Sequence, residues 1–230
     1  MDETLWKAVE HERLSLADLL ETLSPEQWET QSLCARWRVK DVAAHVAMSP
    51  VPEPSMPTLV KALVRARGHL WDAAAQIAVD YAERSTGEIC GTLRRVAGSR
   101  AMPKITNPEN LLMDVLVHGQ DIAVPLGIDR PMPQSAAMAG FNRVWTMGWP
   151  FFAQKRMQGV RLLATDAPLD VGDRSGAPVE GRLADLLLLV TGRTEAALAR
   201  LDGAGCDVLR LRLAVPTGRT RGRPPSAFVG

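Results

Sequence analysis

Residues 107–121 read NPENLLMDVLVHGQD, and the rest of the chain is best read outward from them. Asn107 and Pro108 supply an N-cap and a first-turn proline, so a helix is expected from here to about Pro125 and Gly127. On it Asp114 and His118 lie four residues apart, about one turn, so both side chains leave one face. A third residue of the same chemistry, His45, sits in RVKDVAAHVAM, residues 38–48, which also reads as a helix. One carboxylate and two imidazoles are a common ligand set for a divalent metal. Three protein ligands leave a coordination position for water or a thiol, which is how a catalytic site differs from a structural one. Taken singly, each histidine is more readily a hydrogen-bonded residue of a helix core.

The surrounding sequence is helical as far as residue 158. Residues 3–23 place Leu5, Trp6, Val9, Leu16, Leu19, Leu20 and Leu23 close to helical period. SPEQW restarts the chain with Ser24 as N-cap, Pro25 at the first position and Gln27 at the third. A helix over about 38–49 is stopped by SPVPEPSMP, whose closely spaced prolines forbid regular structure. A further helix fits 57–84, and a long one fits 134–157. The sum is a bundle of four main helices. After Gln158 the pattern changes: VRLLAT, PLDVGD and CDVLRLRLAV read as strands, and GRLADLLLLVTGR and EAALARL as helices. The expected organisation is a helical bundle over 1–158, a small α/β unit over 159–215 and a flexible tail, 216–230, rich in Gly, Pro and Arg.

Composition narrows the partners. A net charge of +1 gives no argument for nucleic acid or anionic membrane. Leu183–Val190, the longest strongly apolar run, is broken by Asp185 and too short to span a bilayer. Cys34, Cys90 and Cys206 are odd in number and form no CxxC pair, so reduced cytoplasmic thiols are expected rather than a disulfide framework. The charged start, MDETLWKAVEHER, is not a secretory signal.

Three stretches together resemble a family. LLETLSPEQWETQSLCARWRVKDVAAHVA is similar to the N-terminal signature of the mycothiol-dependent maleylpyruvate isomerase family, a branch of the DinB-like metalloenzymes. NPENLLMDVLVHGQDIAVPLGI resembles that family's second metal segment. PVEGRLADLLLLVTGR resembles the small C-terminal domain that often follows, similar to sterol carrier protein type 2. The resemblance implies a DinB-like four-helix bundle with His45, Asp114 and His118 on a divalent ion, zinc by preference, and mycothiol as cofactor. Two departures stand out. Arg38 occupies the cap position where Ser or Thr is usual, at a cost of about 1 kcal/mol, with Asp41 still favouring the helix start through the dipole. Asp114 is one methylene shorter than the usual Glu, which draws the ion closer to its helix.

Other residues are weighed beside these. Asp121 could receive the second ring N–H of a ligand histidine; a salt bridge or a helix-terminal polar role stands equally beside that. Gln120 is expected to face solvent, and His11 and His69 to be surface or packing residues. Cys34 is expected to pack beside Trp37. Arg65, Arg67, Arg94, Arg95 and Arg100 form a basic concentration that is mostly a solvated face, although one or two could grip carboxylates. Arg193 is the candidate catalytic cation, its alternative role being compensation of a helix C-terminus.

The function expected is an isomerase or S-transferase that brings a small-molecule thiol to an electrophilic substrate, with neither nucleic acid nor membrane as partner. In a cis–trans isomerase the thiol adduct would be transient; in a transferase it would be the product. The rivals are a metal-activated hydrolase with the same ligands and a metal-binding or ligand-binding module without catalysis.

Overall fold

The computed structural model describes residues 3–50, 70–102 and 106–214. The expectations for residues 57–69, for Arg65, Arg67 and His69, and for the tail lie outside them. The chain divides into two compact units, Met1–Arg130 and Pro131–Gly230.

The first unit is helical: α1 (Glu3–Glu21), α2 (Pro25–Trp28), α3 (Val39–Met48), α4 (Leu70–Ala82), α5 (Thr86–Val96) and α6 (Pro108–Ala123). On α1 the buried residues Trp6, Val9, Arg13, Leu16 and Leu20 recur every three or four positions, which gives one continuous buried stripe, apolar but for Arg13. That stripe packs on α5 and α6, while α3 packs on α4, α5 and α6. α2 starts as its sequence predicts: Gln27 N–H donates to Ser24 Oγ at 3.3 Å and Ser24 N–H to Gln27 Oε1 at 2.8 Å. Asn107 caps α6 by accepting from Asn110 N–H at 2.9 Å.

Helix α5 has no counterpart among the expected elements. It carries its own capping box, Ser85 and Glu88, and its C-terminus is closed from α1. There the buried Arg13 donates from Nη1 to the carbonyls of Ala97 and Ser99 at 3.1 and 2.9 Å. Two of the arginines read as a basic face tie the same seam. Arg94 meets Asp18 and Glu21, and Arg100 meets Glu3.

The second unit holds α7 (Gln134–Thr146), α8 (Ala153–Arg156), β1 (Val160–Ala164), β2 (Asp170–Gly172), β3 (Ala177–Gly181), α9 (Leu183–Val190), α10 (Thr194–Leu198) and α11 (Ala204–Ala214). The sheet order is β2-β1-β3, with β1 antiparallel to β2 and parallel to β3. Leu162 stands opposite Val171 on one side and Val179 on the other. α9 packs on α7, α10 and β1. Leu186, Leu187, Leu188 and Leu189 are all fully buried, which is why its sequence is apolar on every face. Gly192, at φ +98°, ends it in the left-handed conformation that glycine supplies without strain.

Two expectations are corrected here. The 134–157 segment is not one helix: α7 stops at Thr146, and α8 starts only after Phe152, which has a positive φ of 46°. The described part of CDVLRLRLAV, residues 206–214, is not a strand but most of α11. Its alternation is short, and Leu and Arg are good helix formers. As a helix it sets Cys206 and Leu209 against the sheet and leaves Leu211 and Leu213 exposed. The close approach needs Gly205, where a Cβ would stand 2.6 Å from the Ala177 carbonyl oxygen. The second unit thus has three helices after its sheet starts, not two.

Candidate metal centre

The site is built where α3 and α6 meet. α6 carries Asp114, His118 and Asp121 at i, i+4 and i+7, one face of a helix. α3 brings His45 to the same place. The Nε2 atoms of both histidines face the Asp114 carboxylate: His45 Nε2 is 3.6 Å from Oδ2 and His118 Nε2 is 3.4 Å from Oδ1. The rings meet edge to face at 4.9 Å. One donor atom from each of the three residues falls within 4.8 Å of the others. Donors on a tetrahedral ion with bonds of about 2.0–2.1 Å stand about 3.3 Å apart, so the separations found suit a zinc-sized ion after small side-chain adjustments. His118 is buried, whereas the side chains of His45 and Asp114 are 26% and 15% exposed. The cluster therefore runs from a buried imidazole to two partly exposed side chains.

The loop between α2 and α3 supplies the rest of the setting. Arg38 gives α3 no side-chain cap. Instead Asp41 Oδ2 accepts the Arg38 N–H at 2.8 Å, and its carboxylate also holds the Arg38 guanidinium. The helix start is stabilised from inside its first turn, as the dipole argument expects. Val39 N–H donates to Thr30 O at 2.9 Å and Ser32 N–H to Trp37 O at 3.0 Å, which closes the loop on itself. Trp37 lies against both imidazoles, 5.2 Å from His45 and 6.2 Å from His118 between ring centroids.

On the far side of its ring, His118 Nδ1 is 2.8 Å from Asp121 Oδ2. Asp121 is wholly buried. A carboxylate so near a helix C-terminus opposes the dipole, and the imidazole beside it explains its presence. Gln120 does not face solvent: it is buried and donates from Nε2 to the Arg130 carbonyl at 2.6 Å. Its neighbour Gly119 leaves room for the Arg130 side chain, since a Cβ there would stand 2.7 Å from Arg130 Nε. His11 is exposed, as expected. Arg193 belongs to the second unit, where it is buried at the α9–α10 corner and donates from Nη1 to the Thr191 carbonyl at 3.0 Å.

Electrostatics tie the cluster together. Burial disfavours charge on His118, but the carboxylates of Asp114 and Asp121 outweigh it and hold the imidazole well above its ordinary pKa. Burial likewise pushes Asp114 up, and the two imidazoles outweigh that and hold it well below the usual carboxylate range. The signs give a stability window. The contribution of His118 is fully present below its unfolded pKa, about 6.5, and is lost as pH rises through its raised folded value. That of Asp114 is present above its unfolded pKa, about 3.9, and is lost as pH falls through its depressed folded value. Thermal melts in chelator are therefore expected to show this pair stabilising most between about pH 4 and 6.5. An ion held by His118 would have to displace its proton, so the affinity for zinc, if zinc binds there, should rise with pH over the range where metal-free stability falls. A zinc affinity independent of pH from 6 to 9 would contradict this.

By fold and site this is a mainly helical protein, with a small three-stranded mixed sheet, in which two imidazoles and a carboxylate converge. Residues 9–51 match the family of the mycothiol maleylpyruvate isomerase N-terminal domain. That stretch brings His45 and the loop before it, and it contains the N-terminal motif quoted above. Two solved structures of the mycothiol-dependent maleylpyruvate isomerase, one of them a mutant, are similar at 15% and 16% identity with a TM-score of 0.47, covering 85% of this chain and 92% of each of theirs. No curated protein matches the chain. No helix among the described residues is long and apolar enough to cross a membrane.

The sequence reading missed two neighbours of the cluster. Trp37 touches both imidazoles, and the Cys34 thiol reaches Asp121. The signal for both was the Cys34–Trp37 spacing inside the matched motif.

Proposed function

We propose that this protein is a metal-dependent enzyme that uses a low-molecular-weight thiol of the mycothiol type to isomerise, or to add sulfur to, a small electrophilic substrate in the cytoplasm. The observation that carries the reading is the convergence of His45, Asp114 and His118, two of the three side chains being partly exposed. A structural metal site is normally closed, whereas a catalytic one keeps a reachable position. A divalent ion, zinc by its ligand preference, would make a thiol held at that position acidic enough to react near neutral pH. Asp121 fixes the His118 ring through Nδ1, leaving Nε2 for the ion. Trp37 walls both imidazoles from one side.

The same reading takes the helices up to residue 158 as a DinB-like four-helix bundle and 159–215 as a unit similar to sterol carrier protein type 2. The support is that the sheet starts at Val160. Arg193 enters as the catalytic cation that would meet a substrate carboxylate.

The test joins metal analysis to turnover. Purified protein should hold a divalent ion and, with mycothiol, should isomerise maleylpyruvate or conjugate a reactive halide, with neither reaction proceeding without thiol. Ester hydrolysis independent of thiol would favour the metal-hydroxide hydrolase. Absence of a bound ion would remove the proposal.

A further inference from the structure

We infer that Cys34 is a positioning residue for the His118 ring and acts through Asp121; this rests on the reading of His118 as a metal ligand. Cys34 Sγ donates to Asp121 Oδ2 at 3.1 Å, the same oxygen that His118 Nδ1 reaches at 2.8 Å. Sγ and Nδ1 are 4.0 Å apart, so two donors converge on one acceptor. Cys34, His118 and Asp121 are 1%, 2% and 0% exposed. A carboxylate without solvent contact depends on such donors. A thiol is a weak donor in general, and a bond to an ionised oxygen is stronger than a neutral one.

The placement of Cys34 is built rather than incidental. Its N–H donates to Ser32 Oγ at 3.1 Å, and its carbonyl accepts from Trp37 N–H and Gln31 Nε2, both at 2.8 Å. The residue before it, Leu33, donates its N–H to the Asp121 carbonyl at 3.1 Å. The loop is thus fastened to Asp121 twice, once through backbone and once through the thiol. The same loop sets Trp37 against the imidazoles. The thiol lies on the Nδ1 side of His118, while Nε2 faces Asp114. It is therefore on the wrong edge of the ring to bind an ion held by His45, Asp114 and His118, and too buried to attack a substrate.

The test is a double-mutant cycle on the full chain. Zinc affinity is read by competition with a chromophoric chelator, and folding is checked by circular dichroism. Asp121→Ala should weaken zinc binding about 10–100-fold, the usual range for losing the partner of a ligand histidine. Cys34→Ala should weaken it less, about three- to tenfold, because a thiol is the weaker link in the chain. In the Asp121→Ala background Cys34→Ala should add nothing beyond about twofold, because a residue acting only through Asp121 has nothing left to act on. Cys34→Ser, which keeps a donor, should recover most of the loss.

The second readout needs no metal. In metal-free protein the low-field His118 Nδ1–H proton seen by NMR should exchange faster with water in Cys34→Ala and not in Cys34→Ser. Equal losses from Cys34→Ala with and without Asp121 would overturn the inference, as would no loss at all. So would a sulfur-to-metal charge-transfer band in the cobalt form that disappears in Cys34→Ser, since it would make Cys34 a ligand. If the wild type binds no zinc, the proposed function fails, and the exchange of the His118 proton alone decides the role of Cys34.

Discussion

Replacing His118 by alanine is expected to weaken zinc binding by more than about 100-fold, beyond what the loss of an orienting partner causes, and to abolish thiol-dependent turnover. His118 is the residue on which the whole site turns. Its Nε2 faces Asp114 and its Nδ1 faces Asp121. Truncation therefore removes one of the three proposed ligands and also the imidazolium that both carboxylates rely on in the metal-free state. Asp121 would be left buried without the ring, and removing one partner of a buried charged pair is strongly destabilising. Loss of fold must therefore be separated from loss of ligand by recording circular dichroism beside metal content. His45→Ala makes the cleaner companion because His45 is partly exposed; it should lose metal and turnover while keeping its fold. Asp114→Asn should keep the fold and weaken the ion, since a neutral amide is a poorer ligand. Asp114→Glu should retain it, because the longer side chain keeps a charged carboxylate oxygen to offer. A His118→Ala protein that is folded, holds zinc as tightly as the wild type and turns over thiol at the wild-type rate would end the mechanism.

Legibility followed the physics of each signal. Local capping chemistry was readable because it lies within four residues: Ser24 with Gln27, and Asn107 with Asn110, form the bonds their sequence predicts. The convergence of His45 on Asp114 and His118 is long-range: their ligand chemistry suggested it, and the resemblance of the motifs strengthened it. α5 escaped because Gly87 and Gly91 interrupt its pattern, although its Ser85–Glu88 box was in plain view. α11 was misread because the alternation of Leu and Arg over 208–213 is a strand signal. The helix propensity of Leu and Arg competes with that signal, and the close approach to β3 that Gly205 permits is long-range, so no local pattern encodes it. Gln120 was expected in solvent, and the thiol bond of Cys34 went unseen, for one reason. Each was weighed as a side chain on its own segment, whereas its partner, the Arg130 carbonyl or the Asp121 carboxylate, comes from elsewhere in the chain.

The largest stability effect outside the metal cluster is expected at Arg130. Its guanidinium lies across the seam between α1 and α6. Nη2 donates to Glu12 Oε2 at 2.9 Å and Nη1 to Ser15 Oγ at 2.7 Å, and both charged side chains are more than nine-tenths buried. Burial raises the Glu12 pKa, and the Arg130 charge opposes that rise without cancelling it. Arg130→Met keeps the length and apolar stem but leaves Glu12 buried without its guanidinium partner. Breaking a buried pair in this way costs about 3–5 kcal/mol, which for a chain of this size lowers Tm by roughly 10 °C. The pH dependence identifies the cause. A carboxyl whose folded pKa is raised above its unfolded value binds its proton more tightly in the folded state, so the protein gains stability as pH falls through the folded value. Without Arg130 that pKa rises further, so the deficit of Arg130→Met should be largest near pH 8 and should shrink toward pH 5. Adding Glu12→Gln should restore most of the lost Tm at pH 8, because it removes the unpaired charge rather than any packing. A deficit of the same size at both pH values, or no rescue by Glu12→Gln, would show that Arg130 holds the seam through its hydrogen bonds and stem, and not through its charge.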